Sequence, residues 1–437
     1  MCVGGWTDGY TDSALRLMEL LDVPRRALIG AWGHNDPVHA APGPPVGILD
    51  EFVRWWDRWL KGIENGIEDE PRVVAWMQDP VAPAANLPQR PGRWVAEAAW
   101  PSPAVAPREL WLGDGVLVSS CPEDDGTLRI GSVQTVGMDG GAWCADARSA
   151  DLPLDQRADD ARSLGFTSAP LAEPLEILGF PEARLVLSAD RPAALVSARL
   201  CELREDGSSL LVTRGQLNLC HRESHAEPVP VEPGAEMEVT VAMDSIAHRF
   251  AAGSRIRLSV SPCYWPLAWP SPQPVTLQLR YGSGARLVLP ERTPPQQEPL
   301  TRMPDPPAEP EGLNGVEKLH GGSGGGRSIT HDLATGRSEL VFDWDCGGLN
   351  RLPNGLEYED TSIARYSIVE GDPLSAEVQV DNTCLSQRGD WRIAIEASGR
   401  MTCTETHFLV TSRLAVHEGS TEVFARTWQH EFPRDHQ

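Results

Sequence analysis

An aspartate and a histidine near the start of the sequence have the residue types and spacing that suit proton transfer. Asp8 lies in the run Gly-Trp-Thr-Asp-Gly, and His34 lies 26 positions later (34 − 8 = 26) in the run Gly-Ala-Trp-Gly-His. A carboxylate beside an imidazole holds the ring in one tautomer, and the imidazole can then accept a proton from a nucleophile and return it to a leaving group. The spacing alone does not separate this role from a structural one, because single Asp and His residues on loops commonly serve the fold.

The segments around these two residues predict alternating strands and helices. We expect strands at 2–6, 26–32 and 72–77, and amphipathic helices at 11–21 and 49–61. The carboxyl ends of adjacent parallel strands meet at one edge of a sheet. In an α/β-hydrolase the acid and the base of the catalytic triad follow two such strands, with a crossover helix between them. Asp8 and His34 fit this arrangement. Nearby acidic and imidazole groups fit it less well: Asp12 is better placed to cap the first helix, Asp36 lies beside the histidine, and His39 lies beyond a proline turn.

Beyond residue 80 the hydrophobic period changes to two. A Pro/Ala-rich stretch at 80–107 marks a boundary, and alternating runs separated by turn signals then predict an antiparallel sandwich or jelly roll over 109–289. A Pro/Glu/Gln-rich linker at 294–310 and a Gly/Ser segment at 321–326 follow. Further strands are expected near 338–344, 374–380, 391–397, 407–414 and 421–428, in a small third β domain.

Three blocks of sequence resemble the X-Pro dipeptidyl-peptidase and cocaine-esterase family of α/β-hydrolases. They are Gly-Trp-x-Asp-Gly followed by Gly-x-Trp-x-His, the tryptophan-rich helix at 52–62, and the segments 165–171 and 247–257 of the β region. The resemblance covers about residues 1–292. It implies a multidomain chain: the C-terminal strands and helices of an α/β-hydrolase domain (1–104), an all-β jelly roll of the galactose-binding-like type (105–292), a linker (293–330) and a small β domain (331–437).

The resemblance also implies roles for the two candidate residues. Asp8 would be the acid and His34 the base of a Ser–Asp–His triad, in which a serine esterase, acylase or dipeptidyl-peptidase transfers an acyl group to water. The family's serine precedes the acid, but none of the residues before Asp8 is a serine. One Gly-x-Ser-x-Gly string, around Ser323, follows the histidine and is interpreted as linker. We therefore expect a fragment that is inactive alone, or one whose serine half comes from a separate chain.

Four tryptophans are candidates for the wall of a substrate pocket. Trp6 and Trp32 lie beside the predicted acid and base, and Trp265 and Trp269 lie in an aromatic loop of the β region. The competing interpretation is packing, either in the core or at the seam between the hydrolase part and the jelly roll, because buried tryptophans are common in such places.

The amino-acid composition limits the classes of molecule that the chain is expected to bind. The net charge of −24 argues against nucleic acid and anionic membranes, which need clustered Lys and Arg, and the expected substrate is a small ester, amide or peptide. We expect no cofactor and no metal, because the nine scattered cysteines show no zinc-ligand spacing. Reduced cysteines and the lack of a signal peptide at Met1 favour a cytoplasmic protein.

A non-enzymatic role is the alternative prediction. On this interpretation the chain is a β-rich binding or scaffold protein that retains a degenerate hydrolase remnant. The sequence upstream of Met1 would discriminate the two, because an enzyme requires a segment with a serine between a strand and a helix.

Overall fold

The computed structural model describes residues 1–147, 150–296, 303–306, 315–344 and 346–437, and in these residues the chain is mostly β. The helices are α1 (Asp12–Leu20), α2 (Ile48–Lys61) and α3 (Arg157–Asp160). The first strands are β1 (Cys2–Gly5), β2 (Ala27–Gly30), β3 (Val73–Gln78), β4 (Gly92–Glu97), β5 (Val105–Leu112), β6 (Val116–Val118), β7 (Gly126–Gly131), β8 (Leu164–Ser168) and β9 (Leu175–Gly179). They are followed by β10 (Glu182–Ala189), β11 (Leu195–Leu203), β12 (Ser209–Asn218), β13 (Met237–Ala242), β14 (Ile246–Phe250), β15 (Arg255–Ser261), β16 (Thr276–Tyr281) and β17 (Arg286–Arg292). The last are β18 (Glu317–Lys318), β19 (Gly326–His331), β20 (Arg337–Trp344), β21 (Asn350–Arg351), β22 (Glu357–Val369), β23 (Asp372–Arg388), β24 (Trp391–Cys403), β25 (His407–Glu418) and β26 (Thr421–Pro433).

Three short parallel strands carry the two candidate residues. β1 pairs with β2, and β2 pairs with β3, both in parallel register. Side chains alternate across these strands, so Ala27 and Ile29 pack on the same side as Leu15 of α1, and Leu28 packs on the other side with Ile48 of α2. Helices therefore cover both faces, as a parallel sheet requires.

The strands from β4 to β17 form a region that is antiparallel apart from the β6–β8 pair, and we call it the antiparallel region. It joins the parallel strands through the antiparallel pair β3–β4 and a single parallel pairing between β14 and β3. One set of neighbours runs β13–β10–β16–β7, and a second runs β12–β11–β15–β8. Apolar side chains from both sets share one core, to which Leu185 and Leu187 of the first and Leu200 and Leu258 of the second belong. This core is continuous with the α1 face of the parallel strands.

The second sheet contains β18 to β26 and consists of long antiparallel hairpins from β22 onward. Strand β18 and all but the last residue of β19 fall inside the segment 293–330, which the sequence interpretation treated as linker. The segment around Ser323 precedes β19, and the Ser323 hydroxyl donates to Asp343 of β20 at 3.0 Å. That serine therefore belongs to the second sheet.

The short helix α3 anchors a long loop, described at residues 132–147 and 150–156, that runs back to the parallel strands. The Gly137 amide donates to Asp159 Oδ2 at 3.0 Å, while Asp159 Oδ1 has no hydrogen-bond partner in the described part of the chain. Burial raises the pKa of Asp159 to about 6, and the nearby Arg199 charge opposes that rise. Ionised Asp159 is therefore a cost to the fold at neutral pH.

We expect Asp159→Asn to stabilise the chain above pH 7. The raised pKa means that the favourable contribution of this carboxyl is complete below about pH 4 and is lost as the pH rises through about 6. An amide keeps an acceptor for Gly137 and removes the charge, so the free energy of unfolding should rise by about 1 to 3 kcal/mol at pH 7.5. The gain should shrink steadily as the pH falls toward 4. Urea unfolding across this range measures it, with exposed Asp114→Asn as the control; a gain independent of pH would contradict the analysis.

Candidate active site

The end of β1 shapes the turn that presents Asp8. The Asp8 amide donates to the Gly5 carbonyl at 2.9 Å, and Thr11 Oγ1 accepts from the Gly5 amide at 3.0 Å. A β-carbon on Gly5 would lie 2.0 Å from the Trp32 carbonyl oxygen, so only glycine permits the two strand ends to approach this closely. The Tyr10 amide donates to Asp8 Oδ1 at 2.9 Å and orients the carboxylate.

The loop after β2 presents His34 against the long loop of the antiparallel region. The His34 amide donates to the Ala145 carbonyl at 2.6 Å. The Asn35 side chain donates to the carbonyls of Ala41 and Asp146 at 2.7 and 2.8 Å, and so joins both loops. His34 thus depends on contacts made more than one hundred residues away in the sequence.

The two candidate residues meet. His34 Nδ1 lies 3.1 Å from Asp8 Oδ2. Because a carboxylate only accepts, Nδ1 carries the proton and Nε2 is left as the proton acceptor. The His34 side chain is 59% exposed and that of Asp8 is 14% exposed, so the acceptor nitrogen is reachable while its carboxylate partner is sheltered. This is the arrangement that general base catalysis needs.

Cys144 completes the contacts of the aspartate. Its Sγ lies 3.8 Å from Asp8 Oδ1. Burial, followed by the Asp8 charge, raises the pKa of the Cys144 thiol, so it stays protonated and donates to the carboxylate. Asp8, His34 and Cys144 offer ligand atoms within 4.8 Å of one another, the one such group of three in the described part of the chain. A metal bound there would compete for the Nδ1 atom that bonds Asp8.

An aromatic pair begins at the histidine. The Tyr10 ring lies 5.5 Å from the His34 ring and packs edge-on against Trp143 at 4.9 Å. Trp143 is half exposed and lines a cavity beside Asp8. The sequence interpretation did not assign either residue. Tyr10 lies in the same block as Asp8 and was available there, whereas nothing local marks Trp143 or Cys144.

The four tryptophans proposed for the pocket lie in different places. Trp6 donates from its indole nitrogen to the Trp76 carbonyl at 2.7 Å and borders a cavity beside Asp8. Trp32 is buried in the core on the α2 side of the sheet. Trp265 and Trp269 pack against the second sheet rather than the parallel strands, because their partners there include Phe342 and Phe408. The structure does not bring the aromatic loop to the Asp8–His34 pair.

Comparison with known proteins places the larger part of this chain in a family. Residues 65–293 match the family model described as the X-Pro dipeptidyl-peptidase C-terminal non-catalytic domain. The fold is similar to that of an α-amino acid ester hydrolase, with a TM-score of 0.51 at 20% identity over 66% of this chain and 54% of that one. The family match spans just over half of the chain, and the chain therefore belongs to the family that this C-terminal non-catalytic domain defines.

Curated relatives carry hydrolase names. A Mycobacterium bovis protein named as a serine esterase is 26% identical, over 59% of this chain and 44% of that protein. The cocaine esterase of a Rhodococcus species is 23% identical, over 61% of this chain and 49% of that protein. The chain thus matches less than half the length of these relatives. None of the helices in its described part has the length and apolar character needed to cross a membrane.

Gly33 offers a test of the contact between the two loops. A β-carbon at this position would lie 2.2 Å from the Ala145 carbonyl oxygen. We expect Gly33→Ala to lower the free energy of unfolding by about 1 to 3 kcal/mol and to disturb the Asp8–His34 bond. Gly131→Ala is the matched control, because no atom lies within 4 Å of its added carbon. Thermal melts of both variants measure the effect. Equal melting temperatures would refute the close contact between Gly33 and the Ala145 carbonyl.

The ring nitrogen of His34 that carries the proton shows whether Asp8 and His34 are hydrogen-bonded. In the wild-type chain the carboxylate should hold the proton on Nδ1. In Asp8→Asn the amide can donate to Nδ1, so the proton should move to Nε2. Nitrogen-15 NMR of the imidazole near pH 9 distinguishes the two tautomers, with Asp36→Asn, whose carboxylate lies beside His39, as control. The same tautomer in wild type and Asp8→Asn would show that the two side chains do not pair in solution.

Proposed function

We propose that this chain carries the acid and base of a serine hydrolase that acts on ester or amide bonds. The observation that carries the proposal is the 3.1 Å contact between His34 Nδ1 and Asp8 Oδ2 at the carboxyl ends of adjacent parallel strands. On this proposal the parallel strands are the C-terminal part of an α/β-hydrolase domain, and the antiparallel region is a jelly roll. The hydrolase names of the relatives support the same class.

In the proposed reaction His34 Nε2 takes the proton from a serine hydroxyl as that oxygen attacks the acyl carbon. The Asp8 carboxylate stabilises the imidazolium that forms, and His34 then protonates the leaving group. Water repeats the sequence on the acyl-enzyme. Tyr10 contacts His34 and Trp143 packs on Tyr10. The two rings would hold an apolar acyl group, since aromatic side chains offer large contact area at low conformational cost.

The serine is proposed to come from outside the described site. His34 Nε2 hydrogen bonds to no side chain in the part of the chain that the structure describes. The Ser323 hydroxyl donates to Asp343 of the second sheet. A polypeptide that pairs with β1 would bring a serine to the same edge of the sheet. Such a segment could precede these residues in one polypeptide or belong to a separate chain.

Hydrolysis of p-nitrophenyl butyrate tests the proposal. We expect no turnover by the 437 residues alone above that of their His34→Ala variant. Turnover should appear when a segment that bears a serine between a strand and a helix is joined in frame before residue 1 or added as a separate chain. In that completed enzyme Asp8→Asn and His34→Ala should each lower kcat by about 10³ to 10⁴-fold.

Asp36→Asn serves as the control, because this residue caps the turn after His34 without touching its ring: its Oδ1 accepts from the Val38 amide. Activity of the 437 residues alone that disappears in His34→Ala would show that the nucleophile lies within them. Activity of the completed enzyme that survives His34→Ala would remove the hydrolase assignment and favour a β-rich binding protein.

A further inference from the structure

A cavity opens beside the Asp8–His34 pair, between the parallel strands and the antiparallel region. Its volume is about 130 Å³, and its walls include Asp8 and Trp143. Apolar side chains make up much of the remaining lining, among them Leu87, Val212 and Ile246. The proposed acyl transfer uses none of these three residues.

Arg90 stands out among the residues that line this cavity. It lies just before β4, and no hydrogen bond or ion pair joins its guanidinium to another side chain in the described part of the chain. Its Nε atom is shielded from solvent without a partner. Burial lowers the pKa of Arg90 to about 10, which leaves the group positively charged at neutral pH. A sheltered cation without a partner is costly unless an anion joins it.

The nearest carboxylates do not serve as that anion, because other groups hold them. Both oxygens of Glu202 are used, one by His248 Nε2 at 2.7 Å and the other by the Ala251 amide at 2.9 Å. Asp79 accepts from Arg249 at 2.7 Å. These two charges act on Arg90 through space and leave its donors unpaired.

Two hydroxyl groups on the cavity wall also lack a hydrogen-bond partner in the described residues. Thr7 Oγ1 and Ser245 Oγ are buried and have no hydrogen-bond partner among the described residues, and both residues line the same cavity. Buried polar groups are normally paired. Three unpaired polar groups around one cavity indicate a ligand with a polar end.

We propose that this cavity binds an organic monocarboxylate with an apolar body, whose carboxylate pairs with Arg90. A guanidinium presents two parallel donors that match the two oxygens of a carboxylate, and the aliphatic walls take the rest of the molecule. This binding goes beyond the proposed acyl transfer and requires no serine.

Two acidic side chains on the cavity wall limit the ligand to one carboxylate. Asp244 and Asp12 both line the cavity. Burial, followed by the Asp12 charge, raises the pKa of Asp244 to about 6, so Asp244 is mostly ionised at pH 7.5. A second carboxylate on the ligand would approach this pair and be repelled.

Calorimetric titration at pH 7.5 with three small probes tests the site on the 437-residue chain. We expect benzoate to bind, benzamide to bind at least about tenfold more weakly because it lacks the charge, and acetate to bind at least about tenfold more weakly because it lacks the ring. Benzamide as tight as benzoate would refute the role of the cation. Acetate as tight as benzoate would refute the role of the apolar walls.

Variants assign the effect to Arg90. Arg90→Gln should weaken benzoate binding at least about tenfold and leave benzamide binding unchanged, while Arg388→Gln, an exposed arginine in the second sheet, should change neither. Without ligand, the melting temperature of Arg90→Gln should equal or exceed that of the wild type, because the substitution removes a partly buried charge whose Nε atom has no hydrogen-bond partner in the described residues. Undiminished benzoate affinity in Arg90→Gln would overturn the proposal, and the three-probe comparison on the wild type stands even if the variant fails to fold.

Discussion

The parallel register of β1 and β2 is the constraint on which the site depends. Gly5 pairs with Gly30 at the carboxyl ends of the two strands, so the loops that follow start at the same level and face the same edge of the sheet. Only this alignment lets the Asp8 carboxylate reach His34 Nδ1 at 3.1 Å. A shift by one residue would turn the strand side chains to the opposite face and separate the α1 core from the α2 core.

The antiparallel region contributes to the site as well as to stability. Its long loop supplies the Ala145 carbonyl to the His34 amide, the Asp146 carbonyl to Asn35, and the Cys144 thiol to Asp8. α3 holds the start of that loop through Asp159. A domain whose family description is non-catalytic therefore fixes the orientation of both candidate catalytic residues. Its strands also form one face of the cavity beside them.

Much of the local structure follows from patterns in the sequence. The helix expected at 49–61 is α2, its apolar side packs on the sheet, and Gly62 ends it in the left-handed conformation that glycine tolerates. The five strands expected in the C-terminal part are all present, but β23 to β26 extend well beyond the alternating apolar runs. Their ends carry polar residues on both faces, so hydrophobic periodicity stops before the hydrogen-bonded ladder does. β22 was missed for the same reason, since its polar side chains hide the alternation.

The sequence by itself determined the order of strand, helix and strand that brings Asp8 and His34 to one edge of the sheet. It also contained the Gly-Trp-x-Asp-Gly and Gly-x-Trp-x-His blocks, whose glycines permit the close approach of the two strand ends. Only the tertiary structure decided which other residues join them. Trp143, Cys144 and Arg90 come from loops whose positions depend on packing between distant strands, and no local pattern encodes such contacts. Trp265 and Trp269 pack against apolar side chains of the second sheet and therefore lie away from the Asp8–His34 pair.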